Sequence, residues 1–352
     1  MKRASLIAEK LKEKVNSGEQ YELVDSEENF VLKRARLLIS DYQKARTLKK
    51  MVLEEYAGSC IEEIIGSSPV SNEYGEVIHR EESIEMTFPH KTCKENILSD
   101  LKLIHGIGPV RERRLKSKGY NTIMDLNKHK TWGAQASSLM DAYESNPQRI
   151  MQKISQMKSA SDPLALDLSD FFNEEDFAVL DIETMGMSNQ PIILLGIALP
   201  LQNQARITIH QFILKDIGQE LAALQAFFEK LSERKILLTF NGKSFDVPYI
   251  ERRFNFYGLQ RRINQIHFDL LHFSKRAWGR HLLNCRLTNI EREVLGVNRV
   301  IDIPSAMVPE FYQTYREKNN PGPLVPILEH NKQDLLSLLE LFGKVSEELP
   351  RE

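Results

Sequence analysis

Five side chains of this sequence have the types and spacing to hold divalent cations and to move a proton: Asp181 and Glu183, Asp246, and the pair His330 and Asp334. Asp181 and Glu183 close the apolar run Phe177-Ala178-Val179-Leu180, which predicts a buried strand. Side chains alternate along an extended backbone, so the two acids share one face. Carboxylates held together repel each other unless a divalent cation lies between them. A strand ending in a solvated acidic loop is the plainer account of these residues taken alone. Asp246 follows the tight turn Asn241-Gly242-Lys243-Ser244-Phe245 at the start of a helix that carries Pro248 in its first turn. A carboxylate there is also favoured by the helix dipole, whether or not it does chemistry. In a last helix predicted over 325–345, His330, Asp334 and Ser337 form a narrow polar stripe. At about 100° per residue it runs beside the apolar stripe Leu335, Leu338, Leu339 and Phe342. His330 and Asp334 lie one turn apart, where an exposed pair is worth only about 0.2–0.5 kcal/mol.

The elements that must position these groups follow from periodicity. Residues 191–199 and 205–214 predict strands joined by a hairpin loop at Leu201-Gln202-Asn203-Gln204, and 216–233 carries Leu221, Leu224, Phe227, Phe228 and Leu231 at helical spacing. Residues 235–240 form a further apolar run too short for a helix. Meandering strands, a crossover helix and another strand predict an α/β domain with a mixed sheet flanked by helices.

Upstream, 352 residues suggest about two domains. Leu6, Ile7, Leu11 and Val15 have helical spacing before a turn at Asn16-Ser17-Gly18. Residues 21–38 mix β-type residues with charges, and Gly66-Ser67-Ser68-Pro69 predicts a loop. The region 1–90 reads as an appended, mostly helical part of unknown role. From residue 95 to 150 the pattern sharpens around His105-Gly106-Ile107-Gly108-Pro109, followed by Arg111, Arg113, Arg114, Lys116 and Lys118, and then by Gly119-Tyr120-Asn121-Thr122. This resembles a helix-hairpin-helix motif, in which glycines bring backbone N–H groups against a nucleic-acid phosphate. Gly106, Gly108, Arg111, Arg113 and Arg114 are its candidate contacts, and such contacts would be largely independent of base sequence. Residues 151–173 have linker composition, and 174–350 hold the α/β domain.

Charge narrows the partners. The chain totals −2, yet residues 251–300 hold ten Lys/Arg against four acids, a local +6 interleaved with Phe254, Phe256, Tyr257, Phe273 and Trp278. A basic stretch of this kind suits a phosphate-tracking groove, although any one of those aromatics is more commonly core than a base-stacking platform. Cys60, Cys93 and Cys285 are widely separated and form no metal-type pair, which predicts a reducing compartment. The N-terminus lacks a signal-peptide apolar core and no run of about 18 apolar residues occurs, so a cytoplasmic location with no membrane association is expected.

The order Asp-x-Glu on a first strand, Asn-Gly-x-x-Phe-Asp after a later strand and His-Asn-x-x-Asp on a final helix resembles the ribonuclease H-like exonucleases with four acidic residues. It looks more closely like the YprB-like ribonuclease H-like domain family of prokaryotes. The resemblance spans about 174–347 and includes His267-Phe268-Asp269-Leu270-Leu271-His272, Cys285 to Glu291, and Asp302-Ile303-Pro304. It implies that Asp181, Glu183, Asp246 and Asp334 bind two divalent cations, Mg²⁺ or Mn²⁺. It further implies a 3′-to-5′ exonuclease acting on DNA or RNA, single strands or 3′ ends. The related enzymes place a water-handling Tyr four residues, or His five residues, before the last Asp. Here His330 stands four before Asp334, with Glu329 at five. Helical geometry keeps His330 on the Asp334 face, which makes it the candidate general base, with a supporting role open to His272. Asn241 and Lys243 are further candidate nucleic-acid contacts. The alternative is a non-catalytic nucleic-acid-binding adaptor built on a ribonuclease H-like platform.

Overall fold

The computed structural model describes residues 30–65, 68–89, 95–202, 204–299 and 302–349, with side chains from residue 40 onward except at 64, 65 and 68. The helix expected around Leu6, the turn at Asn16-Ser17-Gly18, Asn203 in the expected hairpin loop and Cys93 lie outside the described residues; Cys60 and Cys285 are free thiols.

Helices α1 (Phe30–Glu55) and α2 (Ile61–Ile65) precede strands β1 (Ser68–Asn72) and β2 (Gly75–Glu85). Helices α3 (Glu95–Ser99), α4 (Pro109–Lys116), α5 (Gly133–Ser145), α6 (Pro147–Met157) and α7 (Pro163–Asp167) lead to β3 (Phe177–Thr184), β4 (Ile192–Leu201) and β5 (Arg206–Ile213). Then come α8 (Glu220–Ser232), β6 (Ile236–Thr239), α9 (Asp246–Phe256), β7 (Ile266–Asp269), α10 (Leu270–Trp278) and α11 (Leu287–Ile290). Helices α12 (Val308–Lys318) and α13 (Leu324–Glu348) complete the order.

The seven strands form one mixed sheet in the order β1-β2-β5-β4-β3-β6-β7, antiparallel up to β3 and parallel from β3 through β6 to β7. Residues 68–85 therefore form a hairpin that extends the sheet beyond β5, and Ser68-Pro69, read from sequence as loop, open its first strand. Alternation on β3 sends Ala178, Leu180 and Ile182 into the apolar layer under α1, α8, α9 and α12. Phe177 and Val179 enter the opposite layer, which the C-terminal half of α13 and the helical segment 95–168 cover. Asp181 and Glu183 continue the Phe177–Val179 row and so face α13. The expected strands and crossover helix all form, with ends shifted by a few residues.

Candidate active site

Three elements bring the candidate acids together. Strand β3 supplies Asp181 and Glu183; α9 starts at Asp246; α13 supplies His330 and Asp334. Glu183 and Asp246 are buried, while Asp181 and Asp334 keep partial solvent contact. Parallel pairing of β3 with β6 runs only from Phe177 to Val179, so the strands part where the acids begin. The turn after β6 is tight: Asn241 has φ 66°, and a Cβ on Gly242 would collide with the side chain of Thr239. Asp269, at the end of β7, accepts from Asn241 N at 2.7 Å, from Lys243 N at 3.1 Å and from Leu271 N at 3.2 Å, and this fixes the turn that delivers Asp246.

The electrostatics report the crowding. Burial, then the charges of Asp334, Glu183 and Asp246, raise Asp181 well above the usual carboxylate range. Burial lifts Glu183 to about 7, with Asp334 and Asp246 adding to the rise and His330 and Arg299 opposing it. Burial likewise lifts Asp246 to about 7 against hydrogen bonds from its own amide and that of Ile182. Hard oxygen donors that repel one another in this way fit divalent cations, which would replace protons as the neutralising charge.

His330 is buried and held from both ends. Its Nδ1 lies 2.6 Å from Asp302 Oδ1, while Nε2 lies 3.7 Å from Glu183 Oε1, 3.8 Å from Asp334 Oδ2 and 3.4 Å from Ser305 Oγ. With Asp302 accepting from Nδ1–H, Nε2 is the nitrogen turned toward the acids. Burial opposes a charge on the ring, but the carboxylates of Asp334, Glu183 and Asp302 outweigh it and push the imidazole up to about 10. In the related enzymes' pattern the water-handling His stands one residue earlier. Position 329 here is Glu, which accepts from Arg80 at 3.0 Å on the far side of the helix turn. His272 has Asp269 at 3.9 Å as its charged neighbour.

Four groups with consequences for the site were not singled out from sequence. Asn331 donates to Asp181 Oδ2 at 2.7 Å and to its backbone oxygen at 3.1 Å, and accepts from Gln211 Nε2 at 2.9 Å. Gly196, paired opposite Asp181 in the sheet, makes room for that amide. Arg299, counted among the groove cations by composition, is instead buried: it forks onto Glu291 at 2.6 and 2.7 Å and donates to Asp334 and to Asp302. Asp302 is the fourth. Arg253, another of the ten basic residues, is also internal, paired with buried Glu220. The +6 of 251–300 therefore overstates the positive surface. Phe254, Phe273 and Trp278 are core, and Phe256 is exposed with the Arg253 guanidinium 4.4 Å from its ring centre.

Upstream, Gly106 has φ 88°, Gly108 caps the N-terminus of α4, and Gly119 has φ 92°. Arg111, Arg113 and Arg114 are exposed, with Arg111 donating back to the carbonyl of Gly106. Thr122 and Asp125 cap each other at the start of a 3₁₀ turn over Met124–Lys128.

Residues 178–346 match the RNase_H superfamily, and with the sheet described above this half of the chain has a ribonuclease H-like fold. A curated relative, the uncharacterized protein YprB of Bacillus subtilis (strain 168), is 31% identical over 185 residues, covering 51% of this chain and 44% of that protein. The C-terminal half is thus similar to YprB and to ribonuclease H-like domains, and the chain matches less than half of YprB's length. Among solved structures, the family B DNA polymerase of the archaeon Pyrobaculum calidifontis overlaps 48% of this chain and 24% of its own, at 16% identity and a TM-score of 0.39. Among the described residues, no helix is long and apolar enough to cross a membrane.

Proposed function

We propose that the protein is a metal-dependent nuclease that hydrolyses phosphodiester bonds in DNA or RNA, acting as a 3′-to-5′ exonuclease. The observation that supports this reading is the convergence of Asp181, Glu183, Asp246 and Asp334 from three elements, with His330 Nε2 turned toward them by Asp302. The four carboxylates would hold two Mg²⁺ or Mn²⁺ ions, which when bound supply an acidified water and charge stabilisation at the leaving 3′-oxygen. Asn331 holds the Asp181 carboxylate from its sheet side and leaves its remaining electron pairs for a ligand. Asp302 and Ser305 fix the imidazole, and cations held by the acids would offset the carboxylate charge that keeps it protonated, so that Nε2 would then be free to take a proton from water above Glu183 and Asp334. Arg299 balances Glu291 and Asp334, so the cluster survives without a cation. The exposed Gly106–Gly108 turn with Arg111, Arg113 and Arg114 would grip phosphates irrespective of base, and Asn241 and Lys243 would meet the strand near the acids.

The test is degradation of 3′- and 5′-end-labelled single strands by wild type, Asp181→Asn and Asp246→Asn with Mg²⁺ and Mn²⁺, together with calorimetric Mn²⁺ titration. Wild type should shorten the strand from its 3′ end and bind two Mn²⁺, and both variants should be inactive while folded. Nucleic-acid binding without cleavage by wild type, and no Mn²⁺ uptake, would instead make the domain an adaptor.

A further inference from the structure

The sheet carries a second set of metal-type donors on the face opposite the carboxylates. In the pairing, Asp181 aligns with Gly196, Gly196 with Gln211, and Gln211 with Arg80, so this row faces α13. The neighbouring positions, Glu81 on β2 and His210 on β5, are directly paired and project from the other face. His79, two residues before Glu81, joins them there. The three donor atoms lie within 4.8 Å of one another: His79 Nε2 is 3.0 Å from His210 Nδ1, which is 3.4 Å from Glu81 Oε2.

We propose that His79, Glu81 and His210 bind one late first-row divalent cation, Zn²⁺ by class, as a structural clip between β2 and β5. With zinc–ligand bonds of about 2.0–2.2 Å, neighbouring donors of a tetrahedral site stand about 3.3–3.5 Å apart. The 3.0 and 3.4 Å separations lie within a few tenths of an ångström of these values, and the exposed Glu81 side chain can swing to bring its oxygen nearer His79. Two imidazoles and one carboxylate suit such an ion rather than Mg²⁺, which prefers an all-oxygen shell. The rings are set in place: His79 stacks on Phe212 at 4.7 Å and on His210 at 5.2 Å. His210 is buried whereas Glu81 is exposed, so an ion has a solvent approach and water can take the fourth position. Burial keeps both rings neutral, the form that offers a lone pair, and Lys230, His79 and Arg234 help to press His210 down to about 3. Lys230 and Arg234 are also the positive charges that the bound ion must tolerate, and Glu81 is the anion that offsets them. The clip has a structural consequence, since β2 belongs to the hairpin 68–85 and β5 to the ribonuclease H-like domain. An ion held by both would lock the N-terminal hairpin onto the domain's sheet.

The competing account is a metal-free hydrogen bond between two neutral imidazoles, and a titration separates the two. The full chain, freed of metal with a chelator, is titrated with Zn²⁺ and with Co²⁺ in excess Mg²⁺, which occupies the hard carboxylate set. Wild type should take up one Zn²⁺, give the intense visible bands of tetrahedral Co²⁺, and melt at a higher temperature with Zn²⁺ present. Glu81→Gln, an exposed change that leaves the fold intact, should weaken Zn²⁺ binding by at least about 10-fold and remove the thermal gain. His79→Ala should weaken it by at least about 100-fold, because losing a direct ligand exceeds the range seen for outer partners. Asp181→Asn should leave Zn²⁺ uptake unchanged. The proposal is overturned if wild type takes up no Zn²⁺ in Mg²⁺, or if uptake survives Glu81→Gln. Uptake that disappears with Asp181→Asn would equally overturn it, by assigning the ion to the carboxylates. Should His79→Ala not fold, Glu81→Gln alone decides.

Discussion

Replacing Gly196 by alanine tests whether Asn331 holds Asp181. The backbone of Gly196 lies outside the left-handed region, so alanine carries no conformational penalty there, and the effect must come from space. A Cβ at this position would sit 2.7 Å from both Cγ and Nδ2 of Asn331 and closer still to its Oδ1. Carbon contacts are comfortable near 3.5–4.0 Å, so Asn331 would have to retreat by roughly 1 Å. It is fully buried between Gln211 and Asp181, and a retreat breaks its bonds to Asp181 at 2.7 and 3.1 Å and to Gln211 at 2.9 Å. Overpacking costs about 1–3 kcal/mol, and a lost hydrogen bond to a charged group about 1.5–3 kcal/mol. Since relief of one brings on the other, the expected destabilisation is about 2–4 kcal/mol. In an Asn331→Ala background the clash is gone, and the same Gly196→Ala step should cost nothing or stabilise by about 0.4–1 kcal/mol through the unfolded chain. Urea unfolding of the four proteins gives the coupling directly. Additive behaviour, with the two Gly196→Ala steps within about 0.5 kcal/mol of each other, would refute the reasoning.

Three further outcomes are expected. Glu220→Gln strands Arg253 in a site where Glu220 also accepts from Ile192 N and Tyr257 Oη, so urea unfolding should show a loss of about 3–5 kcal/mol, and a loss below about 1 kcal/mol would contradict the pairing. For the metal-free protein, Glu183 and Asp246 are raised in the fold, so their contribution is complete below about pH 4 and is lost as pH rises through about 7. His330, also raised, extends the decline toward about pH 10, so melting temperature should fall with pH in this range. Added Mn²⁺ should restore most at the alkaline end, and a metal-free melting temperature that rises from pH 5 to 7 would oppose this. Asp302→Asn removes the acceptor that orients His330, and should lower kcat about 10–100-fold with KM little changed, whereas an equal effect on both would indicate general disruption.

Asp181 and Glu183 were legible because alternation on a strand is a local property, and the polar stripe of α13 because helical spacing is local as well. The hairpin 68–85 was not. His79 to Glu85 is charged on both faces, and the segment becomes strand because β5 offers it an edge with eight paired positions, a partner more than 120 residues away. Arg299 and Arg253 misled the charge count for a related reason. Composition registers a guanidinium without registering the buried Glu291 or Glu220 that consumes it. Asn331 stood inside the motif on α13, but its task depends on a glycine 135 positions earlier whose missing side chain only the sheet register explains.

Arg299 also constrains how Asp334 can work. Its fork is fixed by Glu291, which is itself buried and accepts from Ser337 on α13, so the guanidinium is anchored independently of the acids facing β3. Asp334 gives Oδ1 to this arginine, while its Oδ2 points to the side where His330 Nε2 and Glu183 lie. Asp334 would therefore present one free oxygen to a cation held between the acids, its other oxygen being engaged by Arg299. Displacing Arg299 to free both would leave Glu291 buried without its partner, which costs more than a second bond to the same carboxylate returns. Asp334 would thus offer such a cation its Oδ2, the oxygen that also stands beside His330.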